Sequence, residues 1–364
     1  MKQKFKKYYN FRTDLEEHPD AWLYIIVGGR NTGKTYSALR YYYEIGTPNI
    51  FIKRINDDID LLCSGNALGK KAAEYELDLS PYKPINRDLG TAIKAFKIRK
   101  GLGGYYSTNE EGSAAGSPIA YIASLHAVSK IKGFDMTEAE AMIFDEFIPE
   151  PWERIDRKEG EQLMELYKTV SRDRILRGRG ELKLICLANA VAIWNPTLET
   201  LGLVDKVADM AMRKQEVFYD EYKRIFIRIL ETPEEMIEAE KDTGLYRTMH
   251  DTAWGRMAYS NEFAYNDFTN VRKVALKGYR ILCEIDYKRK KYYIYTNEEG
   301  FYYMTHSRQD TTRKYNLDQE MSSEAFYYDV AIDMFNAAID GRAAFETYSM
   351  YDMIINFKRR FVIR

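Results

Sequence analysis

Short apolar runs recur through the first 205 residues, and several of them are followed by segments with helical spacing. An apolar run of this length, bounded by turn residues, predicts a buried strand. The runs are WLYIIV (22–27), NIFIKR (49–54), PIAYIASL (118–125), AMIFDEF (141–147) and KLICLANAV (183–191). Strands that alternate with helices predict a mostly parallel α/β sheet whose ligands bind at the carboxyl ends of the strands.

The segments between these strands are less uniform. TYSALRYYYEIG (35–46) reads as a helix that ends at Gly46, and a second helical stretch covers residues 160–170. Residues 60–118 are mixed, and SPYKP, GLGGYYS and NEEGSAAGSP within them predict loops and hairpins.

The pattern changes after about residue 205. Residues 206–250 look helical and charged, which favours a connector. YRILCEIDY, KYYIYT and GFYYMT then predict a three-stranded meander, and SSEAFYYDVAIDMFNAAIDG has the apolar spacing of a helix. The predicted organisation is an α/β domain over 1–205, a helical linker over 206–250 and a smaller α+β domain over 251–364.

Composition adds few constraints to this organisation. At 364 residues the chain is long for one core, which also favours two domains. A hydrophobic content of 45%, without an apolar run near the ~20 residues of a membrane span, predicts an ordinary soluble protein. The three cysteines lie far apart, which favours a reducing cytoplasm and disfavours a cysteine-based zinc site. The four histidines are equally scattered.

Charge is unevenly distributed along the chain. The net charge of −1 disfavours a protein that coats DNA. Basic clusters nevertheless occur at KQKFKK near the start, at residues 172–183 and 288–291, and at KRR near the end. Each such cluster is more often a solvated face than a nucleic-acid site. Charge therefore permits contact with DNA without demonstrating it.

A phosphate-binding loop follows the first predicted strand. GGRNTGKT fits G-x-x-x-x-G-K-[ST], in which backbone N–H groups surround the phosphates, the lysine reaches the β- and γ-phosphates, and the final hydroxyl ligates Mg²⁺. The helix that follows directs its positive end at the anion. The predicted ATP-binding residues are Gly28, Gly29, Arg30, Asn31, Thr32, Gly33, Lys34 and Thr35.

Two acids end the strand AMIFD, where the second half of such a site is expected. Asp145 is the predicted Mg²⁺-ordering acid beside Thr35, and Glu146 is the predicted catalytic acid that polarises the attacking water. The alternative is a strand that ends in an ordinary charged turn. An adjacent Asp-Glu pair favours ATP hydrolysis, because nucleotide kinases keep water out and generally lack this glutamate.

Asn189 ends the next apolar strand. It is predicted to hydrogen-bond the γ-phosphate or the lytic water, although an Asn that caps the following turn explains the sequence equally well.

GGRNTGKT, IFDEFI and SRDRILRGRGELKLICLANAVAIWNP resemble, in this order, the DNA-encapsidation ATPases of small podoviruses of the Picovirinae type. The resemblance covers residues 8–200 and is weak beyond them. It implies a motor that threads double-stranded viral DNA into an empty prohead, with ATP and Mg²⁺ as cofactors. It also implies a terminase-like ATPase fold followed by a ribonuclease-H-like domain that has lost nuclease activity.

The partners that the resemblance implies are the portal of the prohead and further copies of the chain in a ring, pentameric where the family has been described. Such a motor acts in the host cytoplasm, transiently at the portal vertex. Whether a packaging RNA joins motor and portal stays open.

The resemblance also suggests a catalytic arginine. The family has an arginine-rich stretch before the L-x-N strand, and Arg172 matches it, with Arg174 and Arg177 as alternatives. The expectation is that Arg172 acts in trans and, in one subunit, lies away from its own phosphate loop. Two features depart from the family: Ala188 replaces the usual Ser, and the insert between Phe51 and Asp145 is longer and richer in glycine.

Four basic residues are predicted to contact DNA. Lys130 and Lys132 lie in a loop before the AMIFD strand, and Lys53 and Arg54 end the strand after the loop helix; ordinary surface lysines remain the alternative.

Two other functions remain open. One is a terminase in which Asp286 on the first meander strand, together with Asp329 or Asp333 on the late helix, holds catalytic metals. The other is a non-motor scaffold or phosphotransferase.

Overall fold

The computed structural model describes residues 8–63, 80–127, 135–150, 152–153, 156–260, 263 and 266–361. The chain forms two compact units. The first comprises residues 1–201 and 213–265, and the second comprises residues 202–212 and 266–364. Most of the segment predicted as a connector, 206–250, therefore belongs to the first unit.

A nine-stranded sheet, counted over the described residues, forms the frame of the first unit. Its strands are β1 (Leu23–Val27), β2 (Asn49–Lys53), β3 (Ile93–Arg99), β4 (Leu102–Thr108), β5 (Ala114–Ser124), β6 (Ala141–Asp145), β7 (Lys183–Ala188), β8 (Val217–Asp220) and β9 (Ile225–Ile229). Their order across the sheet is β3-β4-β5-β2-β6-β7-β1-β9-β8. Strands β5, β2, β6, β7, β1 and β9 are parallel, as predicted. The strands β3, β4 and β8 add antiparallel pairs at the two edges.

Helices precede, separate and follow these strands in the chain, and the helix over residues 204–213 belongs almost entirely to the second unit. They are α1 (Phe11–Glu17), α2 (Lys34–Glu44), α3 (Asn56–Leu62), α4 (Lys83–Leu89), α5 (Glu159–Ser171), α6 (Pro196–Leu201), α7 (Val204–Arg213), α8 (Glu234–Glu240), α9 (Gly244–Met249) and α10 (Ala253–Ser260). In α5 the buried residues Leu163, Leu166 and Val170 follow helical spacing and form the face that packs inward.

Two predictions of local structure are corrected. Residues 206–250 are not a helical connector, because β8 and β9 lie within them and β9 pairs in parallel with β1. Edge strand β8 is half-buried and only four residues long, so its apolar run is short. For GLGGYYS the predicted hairpin is confirmed, because β3 and β4 pair in antiparallel around a turn at residues 100–101, but residues 102–107 lie in β4 and not in a loop. A Cβ at Gly103 would lie 3.0 Å from the Phe96 carbonyl oxygen, so the neighbouring strand requires a glycine there.

A buried ion pair attaches the start of the chain to the sheet. Asp14 on α1 is 1% exposed and accepts hydrogen bonds from Arg228 of β9 at 2.5–3.0 Å. The Tyr9 hydroxyl donates to the same carboxylate at 2.8 Å. The residues just before α1 are thereby fixed beside the phosphate loop.

The second unit contains a smaller sheet, with strands in the order β13-β10-β11-β12-β14. These strands are β10 (Arg280–Tyr287), β11 (Lys290–Thr296), β12 (Tyr302–Thr305), β13 (Lys314–Asn316) and β14 (Ala343–Phe345). The antiparallel pairs β10–β11 and β11–β12 confirm the predicted meander. The helices are α11 (Glu320–Phe326), α12 (Ile332–Ile339), α13 (Tyr348–Ile355) and α14 (Phe357–Arg360), and a π-helical turn (Tyr327–Ala331) joins the first two. A large mostly parallel sheet and a second, smaller sheet thus confirm the predicted α/β class.

Within the described ranges, every helix is too short or too polar to cross a membrane.

Candidate nucleotide site

The phosphate loop lies between β1 and α2, as predicted from GGRNTGKT. Gly33 precedes α2 with a φ of 86°, a left-handed conformation that favours glycine. A Cβ there would lie 3.2 Å from the Tyr8 side chain, and a Cβ at Gly28 would lie 2.9 Å from that of Leu230. Backbone conformation and close neighbours therefore both require glycine in this loop.

The Lys34 side chain lies within the curve of its own loop. Its Nζ donates to the carbonyl oxygens of Gly28 at 3.0 Å and Gly29 at 2.7 Å. It also lies 3.2 Å from Thr32 Oγ1 and 3.4 Å from Asn189 Oδ1. Burial lowers the pKa of Lys34 from its ordinary value to about 8, and the charge of Asp145 opposes this effect. The loop thus holds the Lys34 ammonium group within its own curve, close to the N–H groups that are predicted to bind phosphate.

Thr35 and Asp145 meet at the carboxyl ends of the strands. The Thr35 hydroxyl donates to Asp145 Oδ1 at 2.8 Å, which joins the first turn of α2 to the end of β6. Hydroxyl and carboxylate oxygens are the ligands that Mg²⁺ accepts, usually together with water and substrate phosphates. The pair fits a magnesium site completed by a bound triphosphate.

Glu146 has an unusual backbone conformation. Its φ is 58°, and left-handed backbone in a residue other than glycine costs on the order of 1–3 kcal/mol. Directly after it, Phe147 is fully buried and donates its N–H to the Leu187 carbonyl oxygen at 3.1 Å. The chain therefore turns at Glu146 and leaves that side chain 68% exposed at the mouth of the site.

Lys53, at the end of β2, forms ion pairs with both acids. Its Nζ lies 3.4 Å from Asp145 Oδ2 and 3.0 Å from Glu146 Oε2. Burial alone would lower the pKa of Lys53, but the two carboxylates outweigh it and raise the pKa above its ordinary value. The Lys53 charge in turn lowers the pKa of Glu146, so that this carboxylate is ionised at neutral pH.

Arg54 is enclosed by acceptors of the same chain. Its guanidinium contacts Glu159 at 2.5 Å and Glu153 at 3.0 Å. It also donates to the carbonyl oxygens of Glu146 and Phe147, at 2.9 and 3.3 Å. Lys53 and Arg54 thus contact acids at the nucleotide site, and their predicted contact with DNA phosphates stays a prediction.

Two further predicted residues, Asn189 and Arg30, line the same cavity as Lys34 and Asp145. Asn189 follows β7, and its Oδ1 accepts the long hydrogen bond from Lys34. Arg30 forms an ion pair with Glu150 at 2.8 Å, and its side chain remains 45% exposed. The loop, the two acids and Asn189 together enclose a cavity of about 370 Å³.

The arginine-rich segment forms a turn after α5. Arg172 is exposed, has a φ of 31°, and donates from Nε to the Thr169 carbonyl oxygen at 3.0 Å. Arg174 is instead 1% exposed and donates to the Ala139 carbonyl oxygen and to Glu140. Arg177 is exposed and pairs with Asp173 at 2.8 Å. Burial gives Arg174 a structural role, so that Arg172 and Arg177 are the arginines available at the surface.

Arg174 also fixes the position of this turn. The residues that it contacts precede β6, which places the turn near the amino end of that strand. The phosphate loop lies at the opposite, carboxyl end of the strands.

The remaining predicted residues lie elsewhere. Lys130 and Lys132 are outside the described residues. Asp286 lies opposite Lys291 in the β10–β11 pair. Asp329 accepts from the Tyr315 hydroxyl at 2.6 Å and pairs with Arg313, whereas Asp333 is in the first turn of α12. Among the described residues, no group of three or more His, Cys, Asp or Glu side chains is arranged to hold a metal.

A second cavity of about 950 Å³ adjoins the phosphate loop. It shares Asn31, Gly33 and Tyr36 with the first cavity and extends along α2 toward Tyr8 and Met236. The backbone N–H of Tyr9 donates to the Thr32 carbonyl oxygen at 3.0 Å, which holds the segment before α1 against the loop. Sequence reasoning missed this segment, because it has neither a motif nor a periodic pattern.

Comparison with known proteins agrees with this arrangement. A model of the podovirus DNA encapsidation protein (Gp16) family matches residues 4–326. A DNA packaging protein of Bacillus phage B103 is 25% identical over 295 residues, which cover 77% of this chain and 79% of the relative.

Two solved structures share the fold over nearly the whole chain. The Phi-28 gp11 DNA packaging motor matches with a TM-score of 0.61 and 18% identity, covering 98% of both chains. The bacteriophage Phi-29 viral genome packaging motor assembly matches with a TM-score of 0.61 and 16% identity, covering 98% of this chain and 99% of the other. Since the family match extends over most of the sequence, this chain belongs to the podovirus DNA encapsidation protein (Gp16) family of phage DNA packaging proteins.

Proposed function

We propose that this chain is an ATPase whose hydrolysis drives double-stranded viral DNA into an empty prohead. The observation that carries the proposal is the convergence of Lys34, Thr35, Asp145 and Glu146 at the carboxyl ends of β1 and β6. Such a set supplies a phosphate-binding cation, a metal-binding oxygen pair and a base for water. Family membership supplies the context of DNA packaging.

The residues present fit Mg-ATP. Lys34 would bind the β- and γ-phosphates, and Thr35 with Asp145 would hold Mg²⁺, which neutralises phosphate charge when bound. The amino end of α2 and the N–H groups of residues 30–35 would orient the phosphates. The larger cavity beside Asn31 and Tyr36 has room for the base and ribose, and its Tyr8 and Tyr36 rings offer surfaces for stacking.

Glu146 is the proposed base. Its carboxylate accepts a proton from water, and Asn189 is placed to orient that water or the terminal phosphate. While Lys53 lies 3.0 Å from Glu146, the ion pair occupies one of the oxygens that would accept the proton. Movement of Lys53 toward other acceptors would therefore free Glu146.

The proposed assembly is a homo-oligomeric ring at the portal of the prohead, in the host cytoplasm. Both structural relatives are packaging motors, which supports a ring, and a pentamer with a packaging RNA is the finer form of this proposal. Arg172 is proposed to act on the nucleotide of the neighbouring subunit. Its exposure at the end of the sheet opposite its own phosphate loop supports this role.

The central experiment measures phosphate release by the purified chain with and without double-stranded DNA and empty proheads. We expect slow release by the chain alone and several-fold stimulation when both are added, because ring assembly completes each site. Hydrolysis that ignores DNA and proheads would favour the scaffold or phosphotransferase alternative. Manganese-dependent cleavage of plasmid DNA that Asp286→Ala abolishes would favour the nuclease alternative.

The pKa of Lys34 predicts a pH dependence of ATP binding. Below pH 8 the amine already carries the charge that binds phosphate, so affinity should be nearly constant. Above pH 8 the Lys34 amine of the unliganded protein is mostly neutral and must take up a proton when ATP binds. The affinity for ATP should therefore fall by up to about tenfold per pH unit. Calorimetric titration in two buffers of different ionisation enthalpy should show proton uptake at pH 9 and little at pH 7. Equal uptake at both values would contradict this assignment.

A further inference from the structure

Arg54 lies beside the proposed catalytic site without pointing into the phosphate cavity. Its side chain is 12% exposed, and its neighbours are two carboxylates and two backbone carbonyl oxygens. The carbonyl groups belong to Glu146 and Phe147, the residues at which the chain turns. One nitrogen of the guanidinium, Nη2, therefore contacts the two successive peptide carbonyl groups that follow the Cα of the proposed base.

The other contact of Arg54 anchors this arrangement. Glu159 is the first residue of α5, its side chain is 2% exposed, and it lies 2.5 Å from Arg54 Nε. Glu153, in the segment between β6 and α5, adds a contact to a second nitrogen at 3.0 Å. Because the buried Glu159 carboxylate holds Nε of the planar guanidinium, the N–H groups on Nη2 have a defined direction toward the two carbonyl oxygens.

The turn at Glu146 needs such a constraint. Its left-handed backbone is unfavourable for glutamate, and a strained residue keeps its conformation only when its surroundings determine it. The Phe147 N–H bond to the Leu187 carbonyl oxygen holds the peptide group after Glu146 to β7. Arg54 donates to the carbonyl oxygen of the same peptide group and to that of the next one.

We infer that Arg54, anchored by Glu159, is a positioning residue that holds the backbone of Glu146 in the conformation that aims its carboxylate at the attacking water. This inference rests on the proposed ATPase function. It assigns Arg54 to the proposed nucleotide site of its own subunit. Helix α5 begins at Glu159, the partner of Arg54, and ends at Ser171, directly before Arg172, so one helix joins this site to the Arg172 turn.

The test separates positioning from folding by comparing arginine with lysine. Arg54→Lys keeps the charge opposite Glu159, but a single ammonium cannot reach the carboxylate and both carbonyl oxygens together. We expect a tenfold to hundredfold loss of kcat, since misplacement of a catalytic group by about 1 Å costs about that much. The Kd for a fluorescent ATP analogue should change by less than about threefold. Arg247→Gln, which removes an exposed arginine–Asp242 pair, is the matched control and should keep full kcat.

A double-mutant comparison tests whether Arg54 acts through Glu146. In a Glu146→Gln background, Arg54→Lys should cause little further loss of turnover, because the group that it positions is already gone. An equal loss in both backgrounds would overturn the inference, and so would unchanged kcat in Arg54→Lys. A loss of ATP affinity in proportion to kcat would also overturn it.

A second variant covers the case in which Arg54→Lys does not fold. Arg54→Gln combined with Glu159→Gln removes both buried charges together, so that the only carboxylate of this cluster left without Arg54 is the solvent-exposed Glu153. The same loss of kcat with retained ATP binding is expected, and full kcat would overturn the inference. Failure of the wild-type chain to hydrolyse ATP with DNA and proheads would instead reject the ATPase function itself.

Discussion

Glu146→Gln is expected to bind ATP normally and to lose turnover by about 10²- to 10⁴-fold, the range that a positioned general base contributes. The amide keeps the size of the side chain but does not accept a proton at neutral pH. The proposed phosphate-binding Lys34 and metal-binding Thr35 make their hydrogen bonds to groups other than Glu146, which is why binding should persist. Single-turnover phosphate release and the Kd of a fluorescent ATP analogue measure the two properties separately.

Lys34→Ala provides the reciprocal variant. It removes the ammonium that lies against the loop carbonyl oxygens and should abolish ATP binding as well as turnover. The two variants together distinguish electrostatic binding of phosphate from activation of water. Turnover near the wild-type rate in Glu146→Gln would reject Glu146 as the base, whatever Lys34→Ala shows.

Arg172→Ala is expected to reduce DNA-stimulated hydrolysis by about 10³- to 10⁵-fold, the contribution of an arginine that reaches the γ-phosphate. The side chain is exposed and its turn is fixed by the buried Arg174, so the loss would not arise from unfolding. The measurement is steady-state phosphate release by assembled motors.

Mixed rings test whether Arg172 acts across subunits. An Arg172→Ala subunit keeps Glu146, and a Glu146→Gln subunit keeps Arg172. Where the Glu146→Gln subunit provides its arginine to the nucleotide site of an Arg172→Ala neighbour, that site would be complete. Mixing the two inactive variants should therefore restore part of the activity. Arg177→Ala, on the same turn, is the matched comparison and should be nearly silent if Arg172 is the inserted residue. No recovery at any ratio, together with full activity of Arg172→Ala alone, would exclude Arg172 from the mechanism.

The sequence alone determined the phosphate site because its parts are local. A strand, a glycine loop and a helix follow one another within residues 22–46, and each is specified by the residues of that segment. Asp145 and Glu146 could be assigned in the same way, since they end an apolar strand. The alternation of strands and helices further implied that these strand ends would share one edge of a parallel sheet, where Thr35 and Asp145 are found 2.8 Å apart.

Strand β9 was missed although its sequence, IFIRI, is an apolar run like that of β2. Charged segments around it and the half-buried edge strand β8 before it favoured the interpretation of 206–250 as a connector. Only pairing with β1, which lies near the start of the chain, defines it as part of the sheet. Local patterning does not report such a distant partner.

The roles of Lys53 and Arg54 also depended on tertiary structure. Both end an apolar strand with positive charge, a pattern that suits DNA contact as well as an internal ion pair. Glu159 lies 105 residues from Arg54, and no local rule pairs them. A partial signal was present nonetheless, because Glu159 continues the helical spacing of the buried Leu163, Leu166 and Val170. A charge on a buried helical face needs a partner of opposite charge. Arg54 became the partner of Glu159 only when the parallel sheet brought the ends of β2 and β6 together, because ion pairing depends on distance in space.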